Sequence, residues 1–220
     1  MKLNRLVFWL WPPYEASLID KIIADRNNKI GGDARWDSMK TEIRCVLPKD
    51  TSNYKELELI ASQIHDAESK RKETLESKAS TFIAASGIAT GVVSIIPALF
   101  AKEWGIPIKC AMTAGGAYLL SIICFLVSAY YAVKVRKVAG FARPCADSFL
   151  DSMKSDKGSI EERIVLTIAQ TKWNEDILLR KSNYLSVAED LFLRGLVLIT
   201  FAALVSIAAK LFTQLNMKLL

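Results

Sequence analysis

The chain has 220 residues, of which 51% are hydrophobic and 24% charged, and its formal net charge is +6. Those averages resemble a soluble domain, but the hydrophobic residues are collected into three uncharged blocks between highly charged segments. No basic run alternates with aromatic residues that would stack on bases, so we expect no nucleic-acid partner. The excess of Lys and Arg instead suits membrane orientation and anionic headgroups.

Cysteine and histidine are too few and too scattered for a metal or disulfide scaffold. The cysteines are Cys45, Cys110, Cys124 and Cys145, without a C-x-x-C motif, and the single histidine is His65. Zinc sites and disulfide frameworks both need closely spaced or paired ligands, so we predict a reduced compartment with no metal and no cofactor. No P-loop or nucleophile elbow is present either, and we predict no catalytic residue and no enzyme activity.

The first 53 residues are predicted to be a small cytoplasmic region. The opening MKLNRLVFWLWPPY has an apolar core of about six residues, shorter than a signal peptide needs, so we expect it to be retained. Its aromatic side chains either lie at the headgroup level or pack into a small cytosolic core, and both alternatives stay open: Phe8, Trp9 and Trp11.

Three local elements are predicted in the rest of this region. Apolar residues at helical spacing predict a short helix from Glu15 to Asn28, and Gly31-Gly32-Asp33 predicts a turn. The sequence TEIRCVL predicts a short strand over Thr41–Leu47, which Pro48 ends.

A long helical pattern begins at Tyr54. Over residues 54–78 apolar side chains recur every three or four positions, and no Gly or Pro occurs before Gly87. Acidic residues come early and basic residues late, as the helix dipole favours. We therefore predict a cytoplasmic helix that leads directly into the membrane.

Two membrane-spanning helices are predicted next. Residues 79–101 and 110–133 contain no acidic or basic side chain, and residues 102–109 are predicted to form a tight outer turn. An apolar run of about 20 residues spans the hydrocarbon core as a helix. The alternative is a buried hairpin in a soluble protein, but a chain of this length can hardly cover it. Basic residues flank both inner ends, which predicts a multi-pass membrane protein with the N-terminus and the segment after residue 133 in the cytoplasm.

Small residues in this hairpin are candidates for helix packing. Gly87 and Gly91 form a G-x-x-x-G pattern in the first span, and Gly115 and Gly116 lie in the second. Small residues allow helix backbones to approach closely in lipid. Two interpretations stay open: the glycines seal the hairpin within one chain, or they join neighbouring chains into a homo-oligomer.

The remaining chain is predicted to return to the membrane once more. Residues 134–158 form a cytoplasmic connector, Ser159 is a helix cap, and a cytoplasmic helix covers residues 159–191. A third span over residues 192–213 and an outer tail over residues 214–220 follow, although a re-entrant or surface helix is the alternative. Arg194 is expected at the inner boundary, with a gating role in an ion path as the sharper alternative.

The cytoplasmic helix over residues 159–191 has a broad apolar face that needs a partner helix. The segment around Ile60–Ala67 is the nearest candidate in this chain. On the same helix, Trp173, Lys181 and Tyr184 are candidates for partner binding. The predicted fold class is thus an all-α membrane protein with three transmembrane helices, long cytoplasmic helices and a small N-terminal region.

This layout resembles the membrane-spanning effectors of bacterial anti-phage signalling, nearest to the Pycsar transmembrane effector, with SLATT effectors related in layout. The resemblance rests on Glu76–Ala79 before a span rich in small residues, and on the pattern Lys181-x-x-x-Leu185-x-x-Ala188 before the last span. It covers about residues 70–213 and leaves residues 1–69 unmatched. It implies a protein that compromises the inner membrane when a protein partner or nucleotide reports infection.

We therefore expect a self-associating membrane effector of abortive infection, whose partners are the lipid bilayer, further copies of itself and a cytoplasmic protein or nucleotide signal. The alternative is a membrane anchor or scaffold that recruits a soluble partner through its cytoplasmic helices. A coupled pump is disfavoured, because the spans contain no carboxylate or histidine.

Overall fold

The computed structural model describes residues 12–30, 32–48, 51–100, 108–138 and 159–218. These residues form five α-helices: α1 Pro12–Ile30, α2 Gly32–Val46, α3 Tyr54–Phe100, α4 Ile108–Lys137 and α5 Ser159–Lys218. A short 3-10 turn, Thr51–Asn53, precedes α3. No strand occurs in these segments, so the predicted all-α class is confirmed for the described chain.

The strand predicted over Thr41–Leu47 is wrong, because all of these residues except Leu47 belong to α2. Met39 and Ile43 are buried one turn apart, and the Thr41 hydroxyl donates to the Asp37 carbonyl at 2.9 Å, as in a helix. Burial of this helical face outweighs the β propensity of a short run. Of the turn predicted at residues 31–33, residues 32 and 33 belong to α2, and residue 31 lies outside the described residues.

The two longest helices each join segments that were predicted separately. Helix α3 has 47 residues and combines the predicted cytoplasmic helix with the first span. Helix α5 has 60 residues and combines the helix that begins at Ser159 with the third span. Predictions for residues 1–11, the outer turn over 102–107 and the connector over 139–158 lie outside the described residues.

Three helices of the described chain are long and apolar enough to cross a membrane, over Tyr54–Ile95, Cys110–Lys137 and Ile160–Gln214. Only 17%, 22% and 17% of their most apolar windows are buried in the protein. Large apolar side chains therefore face outward, among them Ile88, Met112, Leu119 and Val197 at 69%, 73%, 66% and 68% exposure. Water does not tolerate such continuous apolar surface, whereas lipid does, and the chain is a candidate multi-pass membrane protein.

The chain divides into two compact units. The first, here the polar unit, comprises Met1–Glu76 and Lys137–Asn183, and the second, the apolar unit, comprises Ser77–Arg136 and Tyr184–Leu220. In the polar unit, Ile43 of α2 packs with Val165 and Ala169 of α5. In the apolar unit, all three candidate spans contribute to one cluster: Val93, Tyr118, Phe125 and Ala202. Each unit thus has its own hydrophobic core.

Candidate functional site

In the polar unit, α3 and α5 run parallel in a fixed register. Arg163 Nε lies 2.8 Å from Glu58 Oε1, and Lys181 Nζ lies 2.8 Å from Glu76 Oε1. Both pairs join residues that are 105 positions apart in the sequence. Because the sequence separation is the same at both ion pairs, α3 and α5 must run parallel. Between the two pairs, a residue of α3 therefore lies beside the residue of α5 that is 105 positions later.

The side chains along this contact are unusually polar, and we call them the polar seam. It consists of polar residues that recur at intervals of three to eight positions: Glu58, His65, Glu68 and Glu76 on α3, with Arg163, Gln170, Asn174 and Lys181 on α5. Asn174, Lys181 and Gln170 are only 0%, 1% and 6% exposed. Helix contacts of this kind normally bury apolar residues, so the seam is the most distinctive feature of the polar unit.

The ion pair between Lys181 and Glu76 closes one end of the seam. A fully buried ammonium is costly unless a carboxylate and further polar groups surround it. The Glu76 side chain meets that need while it remains 34% exposed, and Lys72 also approaches it at 3.9 Å. The buried Lys181 ammonium is therefore neutralised by a carboxylate that still contacts solvent.

The middle of the seam is incompletely satisfied. Four buried side-chain atoms of the seam have no hydrogen bond of good geometry among the described residues. One is Arg163 Nε, which lies in the ion pair with Glu58, and the other three are in the middle of the seam: His65 Nδ1, Glu68 Oε2 and Gln170 Oε1. Burial raises the pKa of Glu68 above its ordinary value, the nearby charge of Glu175 raises it further, and Arg71 partly opposes the increase. Unsatisfied buried polar groups weaken a packing, so this part of the seam is less stable than a fully hydrogen-bonded contact would be.

Four further ion pairs attach α1 and α2 to α5. They span 2.6 to 3.0 Å between nitrogen and oxygen: Asp20–Arg180, Arg35–Asp176, Glu42–Lys172 and Arg44–Glu162. Exposed pairs contribute little individually, but this row sets the register of the N-terminal helices along α5.

Trp173, a predicted partner-binding residue, contacts groups inside the polar unit. Its ring packs edge-to-face on Trp36 with centroids 6.0 Å apart, and the Arg35 guanidinium lies 5.4 Å from its centroid. Lys181, the second predicted residue, is buried at the ion pair with Glu76. Both side chains hold elements of this chain together, and a role toward another molecule stays a prediction.

Tyr184, the third, takes part in a cation–π cluster of the apolar unit. The Lys134 ammonium lies 5.0, 5.1 and 5.3 Å from the ring centroids of Tyr130, Tyr131 and Tyr184. Tyr131 and Tyr184 are 8% and 5% exposed, whereas Tyr130 is 56% exposed. This arrangement ties the end of α4 to α5 through one cation.

Three buried serines join the candidate spans of the apolar unit. Ser128 Oγ donates to the Ala188 carbonyl at 2.6 Å, and Ser121 Oγ donates to the Gly195 carbonyl at 2.9 Å. Ser86 Oγ of α3 lies 3.4 Å from Ser128 Oγ. The two serine–carbonyl bonds require α4 and α5 to run antiparallel, and interhelical bonds of this type stabilise association in lipid.

The predicted helix-packing glycines do not lie at the contacts between these helices. A Cβ placed on Gly87, Gly91, Gly115 or Gly116 would have no described atom within 4 Å. Within the described chain, the glycine at a close helix contact is Gly195 on α5. A Cβ there would lie 2.6 Å from Phe125 Cε1 on α4. The geometry therefore does not favour sealing of the hairpin by the first four, and their role between neighbouring chains stays a prediction. Arg194 precedes Gly195 and is partly exposed.

Sequence patterns alone did not reveal the seam or the serine bonds. Their partners are distant in sequence, and serine in an uncharged block is indistinguishable from any other small residue. Among the described residues, no group of three His, Cys, Asp or Glu side chains is placed to hold a metal ion. Comparisons with family models, curated proteins and solved structures gave no match.

Proposed function

We propose that this protein is a membrane effector that self-associates and impairs the integrity of the bacterial inner membrane when a cytoplasmic signal acts on its polar unit. One observation carries the proposal. The helices that supply the first and third candidate spans, α3 and α5, are the helices that form the polar seam. The setting in anti-phage defence follows only from the resemblance in layout.

The chemistry of the seam supports signal control. A signal changes a conformational equilibrium only through its different affinities for the two states. A packing that leaves buried polar atoms unsatisfied offers such a difference, because new hydrogen bonds to His65, Glu68 or Gln170 are available in one state and not in the other. A protein or nucleotide signal would act there or on the basic surface around it.

The outward faces of the spans support self-association. Gly87 and Gly91 lie one turn apart on α3, and a Cβ on either would meet no atom of another helix of the described chain within 4 Å, so the backbone of another copy has room to approach. Ile88 and Val92 flank them and are 69% and 54% exposed. We propose that this face contacts a second copy when the membrane is impaired.

Expression in a bacterium with a membrane-potential dye tests the proposal. We expect depolarisation and growth arrest at high expression, and loss of both in Gly87→Leu with Gly91→Leu. Met112→Leu, which changes an exposed side chain on α4, should keep both at equal protein level. Unchanged potential at every expression level would contradict the effector function. Unchanged activity of the glycine variant would remove the glycine face from the mechanism.

A second candidate function is a membrane anchor that recruits a soluble protein. An apolar groove of about 370 Å³ in the polar unit favours it, with walls that include Ile43, Val46, Leu57 and Ile168. Val46 is 80% exposed at this groove. If the anchor function holds, proximity labelling identifies one partner that Val46→Asp releases, while the membrane potential is unaffected throughout.

A further inference from the structure

The least satisfied part of the polar seam lies between its two ion pairs. His65 and Gln170 are also 105 residues apart, so they lie level with one another in the register that Glu58–Arg163 and Glu76–Lys181 define. Glu68 follows His65 by one turn on the same helix. Apart from Arg163 Nε, which lies in the ion pair with Glu58, the buried atoms without a hydrogen-bond partner therefore belong to one short stretch of the α3–α5 contact.

Two of these atoms have the same hydrogen-bonding character. The oxygen of an ionised carboxylate and the oxygen of an amide are both acceptors, so Glu68 Oε2 and Gln170 Oε1 cannot bond to each other. A protonated carboxyl group is a donor. A proton on Glu68 turns one buried acceptor without a described partner into a donor, and it also removes a buried charge.

The charges around Glu68 favour the protonated form. Burial and the negative charge of Glu175 on α5 both raise its pKa, and Arg71 on its own helix opposes them without cancelling them. Lys72 also lies on α3, but its ammonium is 3.9 Å from Glu76 at the end of the seam. The positive charges on α3 therefore do not fully compensate the carboxylate.

The charged residues of α5 next to Glu175 are engaged with α2. Lys172 pairs with Glu42 at 2.9 Å, and Asp176 pairs with Arg35 at 2.7 Å. Within the described residues, Glu175 is thus the charge that α5 presents to Glu68.

We propose that the polar seam is a proton-responsive two-state element. When Glu68 carries a proton, α3 and α5 close on the observed packing. When Glu68 is ionised, the stretch between the two ion pairs opens locally, while the pairs keep the helices in register. The proton response of the seam does not depend on the proposed function. Only its consequence does, namely that a cytoplasmic signal acts by favouring or opposing this opening.

The direction of the pH effect follows from linkage. The pKa of Glu68 in the closed seam lies above its ordinary value, so closing binds a proton. The stabilisation is fully present below the ordinary carboxyl pKa and is lost as the pH rises through the raised pKa. Lowering the pH therefore favours the closed seam, and raising the pH favours the open one.

Amide hydrogen exchange of the full chain in lipid nanodiscs tests the proposal. Glu68→Gln mimics the protonated side chain, and Glu73→Gln is its matched control, an exposed residue on the same helix. Near neutral pH we expect residues 61–76 to exchange about fivefold more slowly in Glu68→Gln than in wild type. A factor of about five is the change expected when one buried polar group gains a hydrogen-bond partner. Exchange in Glu73→Gln should equal wild type. Variants are compared at one pH, so intrinsic exchange rates cancel.

The difference should disappear near the ordinary carboxyl pKa, where wild-type Glu68 is itself protonated. Equal exchange of Glu68→Gln and wild type near neutral pH would overturn the proposal, and so would a difference that persists undiminished in acid. Glu175→Gln, which removes the facing charge, should also slow exchange in this stretch. It keeps the proposal testable if Glu68→Gln fails to fold.

A parallel membrane-potential measurement separates this proposal from the proposed function. Slower exchange in a chain that never depolarises a membrane would support the seam and contradict the effector. Depolarisation with identical exchange in all variants would support the effector and contradict the seam.

Discussion

Lys181 and Glu76 form an asymmetric ion pair: the lysine side chain is 1% exposed, its carboxylate partner is 34% exposed, and 2.8 Å separates Nζ from Oε1. The cost of breaking such a pair depends on which partner is removed. A buried charge that loses its counter-ion is strongly unfavourable, whereas a carboxylate in contact with water is not.

We therefore expect Glu76→Gln to lower the free energy of unfolding of the polar unit by about 3 kcal/mol, as for a buried charge that loses its counter-ion. Lys181→Met, which fills the same space without a charge, should cost clearly less. The double variant should resemble Lys181→Met alone. Thermal unfolding in detergent micelles measures all three, and equal losses in the two single variants would show that the burial of the ammonium does not matter.

Gly195 lies in close contact with the Phe125 ring. A Cβ there would lie 2.6 Å from Phe125 Cε1, which no ordinary contact allows, so Gly195→Ala must displace a ring that is 0% exposed. Overpacking of this kind costs about 1–3 kcal/mol. Gly91→Ala is the matched control, because its Cβ would enter open space.

Thermal stability in micelles should fall for Gly195→Ala and stay near wild type for Gly91→Ala. Phe125→Leu in the Gly195→Ala background should recover part of the loss, because the smaller side chain leaves room for the methyl group. No recovery would assign the loss to a cause other than contact with the Phe125 ring.

Local sequence patterns predicted the elements whose signals are local. Three uncharged apolar blocks identified the candidate spans, and the starts of α3 at Tyr54 and α5 at Ser159 coincide with the predicted helix starts. Helix α2 was missed because TEIRCVL has β propensity, while the burial that decides its conformation comes from Val165 and Ala169, far along the chain.

The polar seam depends on long-range register in the same way. The sequence singled out Lys181 but did not indicate Glu76 as its partner, because 105 residues separate them. The packing glycine shows a second limit. Gly87 and Gly91 match a known spacing pattern, yet the neighbour that makes a glycine necessary, Phe125 beside Gly195, lies on another helix.

The serine bonds should contribute modestly. Ser128 Oγ donates to the Ala188 carbonyl at 2.6 Å across two helices, whereas Ser94 Oγ donates to the Thr90 carbonyl at 2.7 Å within its own helix. Interhelical bonds in lipid average about 0.6 kcal/mol, so Ser128→Ala should lower stability by about that amount. Ser94→Ala is the control and should have no measurable effect on helix association. A loss equal to that of Ser94→Ala would show that the interhelical bond adds nothing.

Lys134 should stabilise the end of α4 through its charge. Its ammonium lies 5.0 to 5.3 Å from three tyrosine centroids, two of them in buried rings, and a cation–π contact is worth about 0.5–2 kcal/mol depending on desolvation. Lys134→Gln keeps much of the side-chain length but removes the attraction, so the melting temperature in micelles should fall. Lys134→Arg should retain most of the stability, because a guanidinium also stacks on aromatic faces. Lys137→Gln removes an exposed charge one turn further along the same helix and should leave the melting temperature unchanged. If Lys137→Gln lowers it as much as Lys134→Gln does, the effect comes from net charge near the membrane surface and not from the tyrosine rings.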